Sequence, residues 1–298
     1  YMDLAFSLHA GILDGIRCLS TSWFSPLEPY YGATTITSFL SLFSRDLPGL
    51  RCALRREHGQ KAKPSELFEF PVLKQFPLLL RPDGQYECWH PMVLSRGLED
   101  FVHRRFATSW PSYTEKYSPV FESYVLELLD ESEMRYAGED ELRQIVGAAA
   151  SVPEAALFLG GCNVFVEAKM GLFPDALFVE ETPEHLRNRT KAIRKAIKQG
   201  WSISASLRAS QPFVDRYPRV DQDFLIVVTN RELNLSRGNL FASMCAGAEA
   251  IQYPSAESQQ YLPLSNVHFC SIDDFERLIG MVRARTIDLA ACLHEVVA

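Results

Sequence analysis

No apolar run in this 298-residue chain approaches the roughly 20 residues needed to cross a bilayer, and the first residues lack the basic, apolar and small-residue order of a secretory leader. Because the chain opens on Tyr1 rather than Met, an upstream segment is expected. Internal repeats and low-complexity tracts are absent, which argues against solenoids and disordered arrays. Three common catalytic signatures are missing as well: no GxSxG elbow, no GxxxxGK[ST] phosphate loop and no HExxH zinc helix occur. The seven cysteines are odd in number and show no paired spacings, so a disulfide framework is not expected and reduced thiols in the cytoplasm are. Nor is there an excess of positive charge. With 30 Lys and Arg against 37 Asp and Glu, the net charge of -7 confines any nucleic-acid contact to local patches.

What is present is a chain with 47% hydrophobic residues, enough for one large core or two modest ones. The Pro-, Ser- and Tyr-rich stretch WPSYTEKYSP marks a boundary, dividing residues 1–112 from 113–298. The first part is expected to be mainly helical, with helices over SLHAGILDGIRCL and TTITSFLSLF and short strands around the turn at Pro82-Asp83-Gly84. No recognised chemistry falls there. In the second part, FESYVLELLD puts Phe121, Tyr124, Val125, Leu128 and Leu129 on one helical face with Glu122 at its margin. A basic helix is expected from Glu184 to Gln199, carrying Arg187, Arg189, Lys191, Arg194, Lys195 and Lys198. Beyond it come a buried strand over Phe224–Thr229, a small-residue helix around Phe241–Ile251 and a strand over Asn266–Ile272. A last helix, capped by Asp273 and Glu276, runs toward Leu293. Alternating strands and helices of this kind give an α/β fold, a central mixed sheet flanked by helices.

The most informative segment is SVPEAALFLGGCNVFVEAKM, residues 151–170. Val164 to Lys169 alternates as a strand does, placing Phe165, Glu167 and Lys169 on one face and Val164, Val166 and Ala168 on the other. Gly160-Gly161 is a two-residue turn, and Ala155 to Leu159 is the partner strand. Pairing outward from the turn sets Leu159 against Cys162, Leu157 against Val164 and Glu154 against Glu167. Opposed side chains lie about 5 Å apart at Cβ, where like charges destabilise a sheet. A cation is wanted between them, and a hard divalent metal with oxygen ligands suits two carboxylates.

Glu167-Ala168-Lys169 is the only acid-x-Lys triplet in the chain, and Glu154 follows Pro153. This hairpin resembles the core of the PD-(D/E)xK nuclease superfamily, the restriction-endonuclease-like fold, over residues 118–206. Glu154 departs from the family pattern, which has Asp; the longer side chain carries its carboxylate further by one C–C bond.

The resemblance implies a restriction-endonuclease-like core behind an N-terminal mainly helical region, and a metal-dependent endodeoxyribonuclease that cuts DNA. Glu154, Glu167 and the carbonyl of Ala168 would ligate Mg²⁺ or Mn²⁺, with Glu122 on a second metal or its water shell. Lys169 would orient the attacking water, and Gln199 would support the site. Bacterial restriction or phage defence, working as a homo-oligomer or in a larger defence complex, is the implied setting; transposon-end cleavage and repair use the same core. The rival is a non-catalytic nucleic-acid- or protein-binding module that keeps the fold. His90 and His268 elsewhere in the chain, and Cys162 beside the proposed site, read as structural residues.

Overall fold

A computed structural model of the chain describes residues 2–58, 71–148, 150–171, 187–188, 190–210, 220–233, 235, 237–245 and 250–297. The chain divides into two compact units, residues 1–111 and 112–298, each with its own sheet and helices. Among the described residues no helix is long and apolar enough to cross a membrane, and no disulfide joins any of the seven cysteines.

The first unit contains α1 (Met2–Leu13), β1 (Cys18–Leu19), α2 (Glu28–Tyr31), α3 (Ala33–Phe43), β2 (Ser44–Arg45), α4 (Leu47–His58), α5 (Pro71–Gln75), β3 (Leu78–Leu80), β4 (Tyr86–Cys88) and α6 (Pro91–Ser109). Its strands are ordered β1-β4-β3-β2, with β2 and β3 parallel. Leu8, Phe24, Leu40, Phe43 and Leu94 fill the centre of its core. The helix expected over residues 7–19 is shorter and earlier than its pattern suggests. Gly15 at φ +92° ends it, and Cys18 and Leu19 pair with β4 instead.

The second unit is built from α7 (Tyr113–Glu131), β5 (Tyr136–Gly138), α8 (Glu139–Val146), β6 (Ala155–Phe158), β7 (Asn163–Lys169), α9 (Lys191–Ala209), β8 (Asp223–Thr229), α10 (Gly238–Met244), α11 (Ala256–Tyr261), β9 (Val267–Ser271), α12 (Ile272–Arg283) and α13 (Leu289–Val297). The sheet order is β5-β6-β7-β8-β9; β5, β6 and β7 are antiparallel, whereas β7, β8 and β9 are parallel. Parallel neighbours need a crossover, and α9 supplies the one between β7 and β8. The mixed sheet is therefore covered on both faces, which is why Asn163 to Ala168 of β7 are all buried although residue types alternate along it.

On one face, Ile193, Ile197, Trp201 and Leu207 of α9 pack with Phe165, Leu225 and Val227. The spacing of those positions is that of one helical stripe. The helix continues ten residues beyond the Gln199 end read from sequence, through Gly200, Ser202, Ser204 and Ser206, all poor helix formers. Packing overrides that propensity: a Cβ at Gly200 would stand 2.9 Å from Leu225 Cδ2, so only glycine lets the helix lie this close to the sheet. Residues 184–186 and Arg189 of the expected helix lie outside the described residues, as do 246–249 of the expected Phe241–Ile251 helix.

Two further expectations are corrected. The helix following β9 is capped by Ser271, whose hydroxyl accepts from Asp274 N at 3.1 Å, rather than by Asp273 with Glu276. It also stops at Arg283. Arg285 takes a left-handed φ of 56°, and α13 starts afresh at Leu289.

Asp223, fully buried at the start of β8, fastens the crossover. Its Oδ1 accepts from Asn163 Nδ2 at 2.8 Å and from Arg208 Nη2 at 3.0 Å; its Oδ2 accepts from Ser204 Oγ at 2.5 Å and from Arg208 Nη1. Asn266 Nδ2 donates to the Asp223 carbonyl at 3.0 Å. One residue thereby ties the starts of β7, β8 and β9 to the end of α9. Removing a partner from a buried ion pair leaves the other charge unsatisfied, at a cost of about 3 kcal/mol or more. Asp223→Ala should lower the unfolding free energy by about that amount and Asp223→Asn by less, since the amide retains an acceptor; urea denaturation followed by circular dichroism measures both.

Candidate active site

The β6–β7 hairpin has the register read from sequence. Ala155 pairs with Val166, Leu157 with Val164 and Phe158 with Asn163, and Leu159 N donates to Cys162 O at 3.0 Å across the Gly160-Gly161 turn. One step beyond Ala155, the register places Glu154 opposite Glu167.

The two side chains converge. Glu154 Oε2 accepts from the backbone N–H of Ala168 at 2.9 Å, which draws the carboxylate across to β7. Lys169 Nζ ion-pairs with Glu167 Oε1 and stands 3.9 Å from Glu154 Oε1. The cation that the opposed carboxylates call for is thus present as an ammonium. Burial differs sharply within the group: the Glu167 side chain is 1% exposed, those of Glu154 and Lys169 16%.

Glu167 Oε2 is buried with no hydrogen-bond partner among the described residues. Burial first, and then the charge of Glu154, push the Glu167 pKa up to about 8, although Lys169 pulls the other way. Protonation of Glu167 would relieve the like-charge pair.

Glu122, half-buried on α7, belongs to the same electrostatic neighbourhood. Its pKa is raised chiefly by burial and then by Glu154, with Lys169 opposing. Among the residues sequence marked on its helix, Phe121, Val125, Leu128 and Leu129 are buried, while Tyr124 is exposed and donates through its hydroxyl to Glu276. Gln199 is different. Its Oε1 is buried without a partner, and no hydrogen bond links it to Glu154, Glu167 or Lys169 among the described residues.

Two neighbours escaped the sequence reading. Glu139, the first residue of α8, adds its charge to Glu122 while paired with Arg143. Asn230, just past β8, accepts from Gly171 N at 3.2 Å and closes the chain beyond Lys169. Each reaches the site through pairing of strands distant in sequence, so only the acidic run Glu139-Asp140-Glu141 gave any local signal.

Elsewhere, His90 Nδ1 caps α6 by accepting from Met92 N at 3.2 Å. His268 stacks on Phe224, and burial pulls its pKa down to about 4. Cys162 is wholly buried, and its thiol is pushed up to about 11. Among the described residues no group of three or more His, Cys, Asp or Glu side chains is arranged to hold a metal ion. No protein-family model, curated protein or solved structure matches this chain.

The raised Glu167 pKa makes stability depend on pH. Above about 4.5, its ordinary value, the unfolded chain has released a proton that the folded chain keeps until about pH 8. Unfolding then releases a proton, so stability falls as pH rises through this window and levels off above it. Glu167→Gln should flatten that slope and raise the melting temperature most at the alkaline end, as thermal denaturation across the window will measure; an unchanged slope removes Glu167 as its source.

Proposed function

We propose that residues 112–298 form a metal-dependent nuclease domain of the PD-(D/E)xK type that hydrolyses phosphodiester bonds in DNA. The observation that carries this reading is the convergence of Glu154, Glu167 and Lys169 at the end of β7. The order of elements adds support: helix α7 with Glu122, the β6–β7 hairpin and crossover helix α9 follow one another in the order the resemblance implies.

The donor set suits a hard divalent cation, Mg²⁺ or Mn²⁺: two carboxylates converge, and one buried carboxylate oxygen has no partner. Glu154, Glu167 and the Ala168 carbonyl would hold it, and a bound cation would acidify a water and offset charge on the phosphate. The remaining roles belong to the chain. Lys169 offsets phosphate charge and orients the attacking water. Glu122, whose pKa is raised by burial and then by Glu154, would sit on a second metal or its water shell.

A second reading, a non-catalytic nucleic-acid- or protein-binding module, is favoured by the bonds within the cluster. Ala168 N–H already occupies Glu154, and Lys169 already pairs Glu167. Bacterial restriction or phage defence is the proposed setting, and a homo-oligomer or larger defence complex the proposed assembly.

Calorimetric titration and cleavage of plasmid DNA decide between these. Mn²⁺ should bind and should support faster cleavage than Mg²⁺, which demands near-ideal octahedral geometry. Glu167→Gln and Lys169→Met should each lower cleavage by about 10² or more while retaining the wild-type circular dichroism spectrum. Absence of carboxylate-dependent metal binding, with no cleavage, favours the binding module.

The Glu154–Ala168 bond also gives a direction to the substitution that restores the family's Asp. Shortening the side chain by about 1.5 Å withdraws the carboxylate from Ala168 N, well beyond the roughly 0.5 Å that a site tolerates. Glu154→Asp should therefore lower the cleavage rate in Mg²⁺; a faster variant would mean that the backbone has not adapted to Glu.

A further inference from the structure

Of the basic residues read from sequence, Lys191, Arg194, Lys195 and Lys198 lie on the crossover helix, and they do not form one solvated face. Arg194 turns inward, donating to Cys245 Sγ at 3.1 Å, with its guanidinium over Phe241. Lys191, Lys195 and Lys198 are exposed, and none has an ion-pair partner among the described residues. Their spacing of four and three residues puts them on one side of α9.

The position of that row follows from the crossover. Arg208, near the end of α9, is fastened through Asp223 to Asn163, the first residue of β7. From this anchor α9 runs back along the sheet for 19 residues, about 28 Å, while β7 runs for 7 residues, about 23 Å, in the opposite chain direction. Lys191 therefore lies level with Lys169, and Lys195 and Lys198 step away from it. The row spans about 10 Å, or three steps of about 3.4 Å along one nucleic-acid strand. The helix start, the positive pole of its dipole, lies at the same end.

Lys198 is also one wall of an open pocket of about 450 Å³ between α9 and the chain leading into α11. Its lining includes the apolar Trp201, Ala205 and Pro254 and the hydroxyls of Ser202 and Ser206. Lysines followed by a lining that is partly apolar and partly hydroxyl-bearing fit a sugar-phosphate backbone. On a chain of net charge -7, three exposed lysines with no ion-pair partner among the described residues make a local field that an anionic polymer would find.

We infer that Lys191, Lys195 and Lys198, with the pocket beyond Lys198, form the track that holds the DNA backbone flanking the scissile bond; this rests on the nuclease reading above. The test is binding of a labelled DNA duplex by the full chain without divalent metal, followed by fluorescence anisotropy over a range of salt. Replacing all three lysines by Gln should weaken binding at least tenfold at moderate salt. It should also reduce the slope of log K against log salt by about 2.7, three phosphates at about 0.9 each, without changing the melting temperature. Ser202→Glu, which puts a negative charge in the pocket lining, should weaken binding as well. Unchanged affinity and slope in the lysine variant, or a wild-type chain that does not bind the duplex, overturns the inference. Lysine-dependent binding in a chain that never cleaves, with either metal, leaves the track standing and overturns the nuclease reading alone.

Discussion

The carboxylate of Asp223 has no access to solvent, and four donors from Asn163, Ser204 and Arg208 converge on it. An isolated buried carboxylate is costly, so the charge is tolerable only with its partners in place. That requirement fixes where α9 ends relative to the sheet. It aligns the starts of β7 and β8, and through the Asp223 carbonyl and Asn266 it brings in β9. Arg208 is held further by the Val220 carbonyl at 3.2 Å and by the ring of Tyr261, 3.9 Å below its guanidinium. With the end of the crossover pinned, the start of α9 and the Glu167 carboxylate lie toward the opposite end of β7.

The two ends of β7 solve the same electrostatic problem in different ways. At its start, one carboxylate is matched by a guanidinium and two neutral donors, and every acceptor is used. At its finish, two carboxylates share one ammonium and one backbone N–H, and an oxygen of Glu167 is left over. The first arrangement favours a single rigid geometry. The second pushes the Glu167 pKa up to about 8 and leaves one of its oxygens without a hydrogen bond among the described residues.

Much of the hairpin was legible because its signals are local. A Gly-Gly turn and period-two alternation set the register of β6 on β7, and the register alone puts Glu154 opposite Glu167. Helix ends were less legible. The basic helix expected to end at Gln199 runs on, with Ser204 held by Asp223 and Gly200 lying against Leu225. The division of one expected final helix into α12 and α13 turned on Arg285, whose left-handed backbone no propensity announces.

The sequence by itself determined that Glu154, Glu167 and Lys169 share one hairpin, since strand geometry relates residues a few positions from a tight turn without help from the rest of the chain. Only the tertiary structure decided that Lys169 pairs with Glu167, that Glu154 is bonded to Ala168 N and that Glu122 on a separate helix feels both. It also decided which basic residues of α9 face solvent, because Arg194 is turned inward by Cys245 and Phe241, residues about fifty positions away. Side-chain partners and burial depend on elements that meet only after the sheet has closed. Alternation and turn chemistry do not.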